Sequence, residues 1–227
     1  MIKSKKDFIY YLEADRIAKS RPKKEKISAK IKGILYPNIW EFQKTLRILE
    51  YYTNCKKGII SKVYRFFLKL KFKRLSSKLG FSIPINVFGP GLSIAHAGTI
   101  IINGGSRIGA NCRLHTCVNI GTEAGYDDQA PIIGDNCYIG PGAKLFGKIV
   151  LADGIAVGAN AVVNKTFNET NIAIGGVPAK KIANIDTFDY LIPATYIIER
   201  KINIHNELSG ISAKDLKRLY PKKKINE

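Results

Sequence analysis

From about Val87 to Lys180 the chain obeys a six-residue rule, and few folds are compatible with it. Ile, Leu or Val stands at Ile102, Ile108, Leu114 and Ile120, and again at Ile133, Ile139, Leu145, Leu151, Val157 and Val163. The following residue is small at Gly109, Gly121, Gly134, Gly140, Ala152 and Gly158. The fifth position of the hexad is compact at Ser106, Cys112, Val118, Cys137, Ala143 and Ala161. A strand alternates with period two and a helix with period 3.6, so neither alone produces this spacing. Three short flat strands joined by tight corners do, giving a coil of about 18 residues. Each coil then sends an aliphatic residue from every side into a narrow axial core. A small residue is what fits beside a corner, and glycine supplies unusual backbone angles there. The spacing predicts a parallel β-helix.

The phase breaks once. Ile120 and Ile133 are 13 residues apart, so seven extra residues leave the coil as a loop around Thr122–Pro131, polar and acidic in composition. A long loop on an otherwise regular scaffold is a common place for function. Before the repeat, residues 5–80 read as helical. Within Ile59–Leu79 the apolar residues Ile59, Ile60, Val63, Phe66, Phe67 and Leu70, then Leu75 and Leu79, trace an amphipathic stripe that Gly80 ends. Packing against the rest of the protein is the expected fate of that stripe, with a membrane surface as the alternative. After the repeat, residues 183–227 read as an irregular stretch followed by a short helix, with Ser212-Ala213-Lys214-Asp215 resembling a capping box. The expected organisation is a basic helical domain over 1–80, a β-helix over 81–182 and a tail over 183–227, an α+β chain.

The net charge of +19 is concentrated before the repeat. Residues 1–80 carry 22 Lys and Arg against 6 Asp and Glu, whereas 81–182 carry 7 against 6. Such a patch suits nucleic acid, an anionic membrane surface or an acidic glycan, or is a solvated helical face. No apolar run reaches the roughly 18 residues that span a membrane. The N-terminal segment lacks the apolar core of a secretory signal, so a cytoplasmic address is expected, with the inner membrane face as a place of peripheral contact. Cys55, Cys112, Cys117 and Cys137 form no CxxC pair. They read as free thiols, with Cys112 and Cys137 in packing slots of the hexad.

The hexads, the extruded loop and the closing Gly176-Val177-Pro178-Ala179-Lys180 resemble the hexapeptide-repeat acetyltransferases, and within them the serine acetyltransferase group with its polysaccharide O-acetyltransferase branch. The resemblance covers about residues 80–182. It implies a left-handed β-helix, acetyl-CoA as co-substrate, a homotrimer or dimer of trimers, and active sites between subunits. It places His96, within Gly89–Gly98, on the catalytic histidine. It also implies coenzyme contacts at Gly121, Ala143 and Ala161, with Lys180 and Lys181 near the nucleotide phosphates. Two positions depart from the serine enzymes. Phe81 stands where an aspartate pairs with the histidine, and Asp128-Gln129-Ala130-Pro131 replaces an Asp-Arg-His-Pro run.

Acetyl transfer to a hydroxyl needs a base for the alcohol proton, and histidine titrates near neutral pH. Backbone N–H groups on a rigid coil can stabilise the oxyanion. His96 and His115 are 19 residues apart, close to one coil, so both are candidate catalytic residues on one face. Asn103, Asn119, Glu123, Asp127 and Asp128 are candidates to orient a histidine, the last four also to touch the acceptor. The third histidine, His205, lies far beyond the repeat, which gives a three-histidine zinc site poor support, and no metal is expected. A bidentate arginine is the natural grip on a carboxylate, and the loop has lost it. The expectation is therefore an O-acetyltransferase acting on a surface polysaccharide (capsule or O-antigen) or its precursor. It would use a glycan or membrane contact through the basic region and no nucleic acid. A serine acetyltransferase of cysteine synthesis and a non-catalytic scaffold are the alternatives.

Overall fold

The computed structural model describes residues 1–22, 38–126 and 128–200. Three helices precede the repeat: α1 (Lys5–Ala18), α2 (Ile39–Cys55) and α3 (Ile59–Leu79). The side chain of Ser4 accepts from the Asp7 amide and that of Asn38 from the Glu41 amide, which satisfies exposed donors at the starts of α1 and α2. Gly80 closes α3 in the left-handed region at φ 76°, where a side chain would be strained.

The chain then winds as a left-handed parallel β-helix with three sheets. One sheet stacks β1 (Phe81–Ser82), β3 (Ile100–Ile102), β6 (Val118–Gly121), β9 (Lys144–Phe146) and β12 (Val162–Val163). The second stacks β4 (Arg107–Ile108), β7 (Ile132–Ile133) and β10 (Val150–Leu151). The third stacks β2 (Ser93–Ile94), β5 (Arg113–Leu114), β8 (Tyr138–Ile139), β11 (Ala156–Val157) and β13 (Ile172–Gly176), and β14 (Ala179–Asn184) turns back antiparallel to end it. Regular coils pair residues 18 apart, as at Ile100 with Val118 and Lys144 with Val162. Across the loop the offset grows to 25, as at Asn119 with Lys144, which is the seven-residue extrusion seen in the hexad phase. The first coil is irregular too, pairing Phe81 with Ile100 and Ser93 with Arg113, offsets of 19 and 20.

All ten hexad aliphatics are buried, none more than 4% exposed, and they form one core with Cys112 and Cys137. Burial pushes both thiols up, that of Cys137 to about 12, so neither is a ready thiolate. The role expected of the repeat glycines needs correction. A Cβ on Gly109 would lie 2.7 Å from the Gly134 carbonyl carbon of the next coil, so Gly109 is there for close approach. The left-handed corners are shared by other glycines, at Gly91, Gly98, Gly142, Gly147 and Gly154, and by asparagine, at Asn86, Asn111, Asn136, Asn160 and Asn171. Asparagine tolerates this region because its short amide bonds locally.

The helices share this core through Phe42, Leu46, Leu75 and Leu79. The face of α3 that packs is Leu68, Phe72, Leu75 and Leu79, while Ile59, Ile60, Val63, Phe66, Phe67 and Leu70 face solvent. Of the stripe expected to pack, Leu75 and Leu79 do so and the other six residues face outward, because the helix carries a second apolar face completed by Leu68 and Phe72. A buried polar cluster fastens the helices to the first coil. Arg47 pairs with Asp15 at 2.8 Å and Glu50 at 2.9 Å, and donates to the carbonyls of Phe88 and Gly89. Asp15 accepts from the amides of Gly91 and Leu92, and Glu50 from that of Asn86. Burial alone would lower the Arg47 pKa; the two carboxylates outweigh it and hold the guanidinium above its ordinary range.

Beyond the coil a 3-10 turn (Thr187–Asp189) leads to α4 (Ala194–Glu199), where Ala194 and Ile197 pack on Ala14, Ile17 and Ala18 of α1. The helix expected at Ser212 lies outside the described residues.

Candidate active site

Leu114 is an inward hexad position, so its neighbours Arg113 and His115 leave the opposite side of β5 together. His115 is half-buried; its ring lies 5.0 Å from Tyr138 on one side and 6.3 Å from His96 on the other. The Ala95 amide donates to the Leu114 carbonyl, so Ala95 is level with His115 and His96 begins the corner. The His96 ring is exposed and forms no hydrogen bond with the described residues. Nε2 of His115 is covered and has no hydrogen-bond partner among the described residues. Burial, then the charge of Arg113, then His96, lower the His115 pKa, so the ring is neutral at pH 7.

Two cations that the sequence reading did not select stand beside the histidines. The guanidinium of Arg113 makes no hydrogen bond or ion pair with the described residues. Lys19, which follows α1, donates from Nζ to the Ile94 carbonyl at 2.5 Å, two residues before His96. Burial pushes the Lys19 pKa down to about 8, and the charges of Arg113 and Arg21 add to the effect. Arg113 was legible by the period of two from His115. Lys19 was not, since only the fold brings residue 19 to residue 94.

The corner that begins at His96 continues down the coil. A Cβ on Gly98 would lie 3.2 Å from the Thr116 side chain, the Gly142 amide donates to the Thr116 carbonyl, and the Asn160 amide to Pro141. Ala143 and Ala161 lie on this corner of lower coils, their side chains inward, so only backbone is available there. Lys180 and Lys181 are exposed on β14 at the end of the same solenoid, with Lys181 paired to Glu169 at 2.5 Å. Gly121 ends β6 and lies at the far edge of its sheet, across that strand from the histidine corner.

Asn119 is exposed in the middle of β6. The loop that follows holds Glu123 and Asp128 exposed, and Asp127 lies outside the described residues. Because the loop leaves β6 at its far end, one chain does not gather Glu123 and Asp128 around its own His96. Asn103 bonds the Gly105 amide. Phe81 is 5% exposed and stacks edge-on against Phe42 at 5.0 Å, a core residue rather than a histidine partner. Among the described residues no cluster of metal-binding side chains occurs, and His205 lies outside them. An open groove of about 640 Å³ lined by Asn86, Arg107 and Asp135 includes neither histidine.

No family model matches the chain. A serine acetyltransferase of Buchnera aphidicola (subsp. Acyrthosiphon pisum) is 29% identical over 181 residues, 78% of this chain and 63% of that protein. One from Helicobacter pylori is 31% identical over 88 residues, 38% of this chain and 52% of its own length. The chain therefore spans between half and two thirds of these curated relatives. Among solved structures, serine acetyltransferase of Brucella abortus in complex with coenzyme A has a TM-score of 0.62 at 22% identity, covering 80% of this chain and 70% of that one. Serine acetyltransferase of Neisseria gonorrhoeae has a TM-score of 0.60 at 23% identity, covering 80% and 68%. These matches overturn the expectation of a polysaccharide acceptor and favour the serine alternative. The earlier inference rested on the arginine missing from the loop. It overlooked Arg113, two residues before His115, and Lys19, which α1 brings to the Ile94 carbonyl. In sequence and in fold, this chain is similar to the serine acetyltransferases of the hexapeptide-repeat acetyltransferase group.

Proposed function

We propose that the chain transfers acetyl from acetyl-CoA to the side-chain hydroxyl of serine, with His96 as the general base. The observation that carries this reading is the paired His96 and His115, 6.3 Å apart on the corner of a coil whose relatives are named serine acetyltransferases. His96 is exposed and accessible, whereas the free nitrogen of His115 is covered. His115 accordingly backs the base and, being neutral, does not repel the imidazolium that forms.

The chemistry follows from the geometry. The His96 ring takes the hydroxyl proton as the serine oxygen attacks the thioester carbonyl carbon. The carbon–sulfur bond breaks, the thiolate of coenzyme A takes the proton back, and the acetyl ester and free coenzyme A remain. A serine carboxylate needs a cation, and Arg113 with Lys19 supplies one beside the base. The coenzyme lies along the corner past Ala143 and Ala161, with its phosphates toward Lys180. Apolar Ile101, Ile132, Phe146 and Val150 are exposed on the other two sheets, which suits contact with further copies in a homotrimer. Such packing brings the loop with Glu123 and Asp128 of one copy to the histidine corner of another.

Acetyl-CoA and L-serine incubated with the full chain should release free thiol and O-acetylserine. Tight acetyl-CoA binding without any serine turnover would overturn the reading.

A further inference from the structure

We propose that the outward face of α3 docks the protein on an anionic lipid surface, a property independent of the acetyl-transfer reading. At about 100° per residue, the packed residues Leu68, Phe72, Leu75 and Leu79 fall on one side of α3. Ile59, Val63, Phe66, Phe67 and Leu70 fall on the side opposite. That second stripe is not marginally exposed: Ile59 is 79%, Ile60 86%, Phe66 58% and Phe67 61% accessible. Lys62, Lys69 and Lys73 border it on one flank and Lys71 on the other, all exposed. The helix contains seven Lys and Arg and no Asp or Glu.

These two properties together select the occupant. Nucleic acid or a soluble acidic glycan would satisfy the cations but leave Ile59, Val63 and Leu70 in water. A second copy of α3 would cover the apolar residues but set the four flanking lysines against four more. An anionic bilayer answers both, since its acyl boundary takes the apolar stripe while lipid phosphates meet the flanking lysines. No helix among the described residues is long and apolar enough to cross a membrane, so contact is along the surface.

The test is flotation of the full chain with vesicles of phosphatidylcholine alone and of phosphatidylcholine mixed with phosphatidylglycerol. The protein should float with the mixed vesicles, be released by salt and ignore the neutral ones. The double variant Phe66→Ser, Phe67→Ser should bind the mixed vesicles at least about tenfold more weakly, since each phenylalanine contributes on burial. Lys69→Gln with Lys73→Gln should weaken binding by a similar factor. All four side chains are exposed, so both variants should keep the wild-type melting temperature. Three results would each overturn the proposal. One is no flotation with the anionic vesicles, and another is equal flotation with both kinds. The third is a wild-type oligomer that the phenylalanine variant dissociates while neither binds lipid, which would assign the stripe to a second copy.

Discussion

The rings of His96 and His115 lie 6.3 Å apart although His115 is level with Ala95, because the first coil is longer than a regular one. The extra length carries His96 into the turn, while His115 directly follows β5 at the start of the corner. One ring is therefore exposed and the other is half-buried against Tyr138. This division predicts unequal effects on replacement. His96→Ala should lower kcat about 10²–10⁴-fold, the usual contribution of a general base, with little change in acetyl-CoA affinity. His115→Gln should retain measurable turnover. Steady-state kinetics with coenzyme binding by thermal shift separates the two; equal losses would argue against His96 as sole base.

The role proposed for Lys19 carries a pH signature. Its pKa is pushed down to about 8, so the ammonium is charged at pH 7 and lost as pH rises through that value. If it holds the serine carboxylate, KM for serine should climb above about pH 8 while kcat changes less. Lys19→Arg keeps its charge well beyond this range, so the climb should disappear. An unchanged pH profile of KM in that variant would remove Lys19 from the acceptor site.

The same reasoning applies to stability at His115. Its folded pKa lies below the ordinary value, so above that ordinary value both folded and unfolded states are neutral. As pH falls from about 6.5 toward the lower folded value, only the unfolded chain takes up the proton. Stability should therefore fall with acidification through this window. Urea unfolding at a series of pH values should show a shallower acid slope for His115→Gln than for the wild type.

The repeat made the core legible in advance because its inward positions have one steric requirement, which the same residue types meet at every turn. Leu114 and Val163 could be placed with no structure in hand. The α3 faces were harder to assign, since a helix with two apolar sides offers periodicity no means of choosing between Phe66 and Phe72. The two cations near the histidines were harder again. Arg113 is two residues from His115, but Lys19 reaches Ile94 only after α1 has docked, and no local pattern records that contact. Reading the acceptor from the loop alone, with Gln129 and Ala130 in place of the expected pair, led to the wrong substrate class.

That docking runs through Arg47, which joins Asp15 of α1 and Glu50 of α2 to the carbonyls of Phe88 and Gly89. It is fully buried, and its partners Asp15 and Glu50 sit in the same dry environment. Removing one partner of a buried ion pair leaves the other charges uncompensated, at a cost of about 3–5 kcal/mol. Arg47→Ala should therefore lower the unfolding free energy by that amount. It should also loosen residues 86–94, whose backbone is held by Arg47, Asp15 and Glu50, and with them the approach to His96. Replacing Arg47, Asp15 and Glu50 together with apolar residues of similar size should recover most of the stability. It should not recover turnover, because Asp15 also holds the Gly91 and Leu92 amides at 2.9 and 2.8 Å. Hydrogen exchange of those two amides, beside urea titrations of both variants, reads the two effects separately. Wild-type protection at Gly91 and Leu92 in Arg47→Ala would show that the clamp is not what positions this segment.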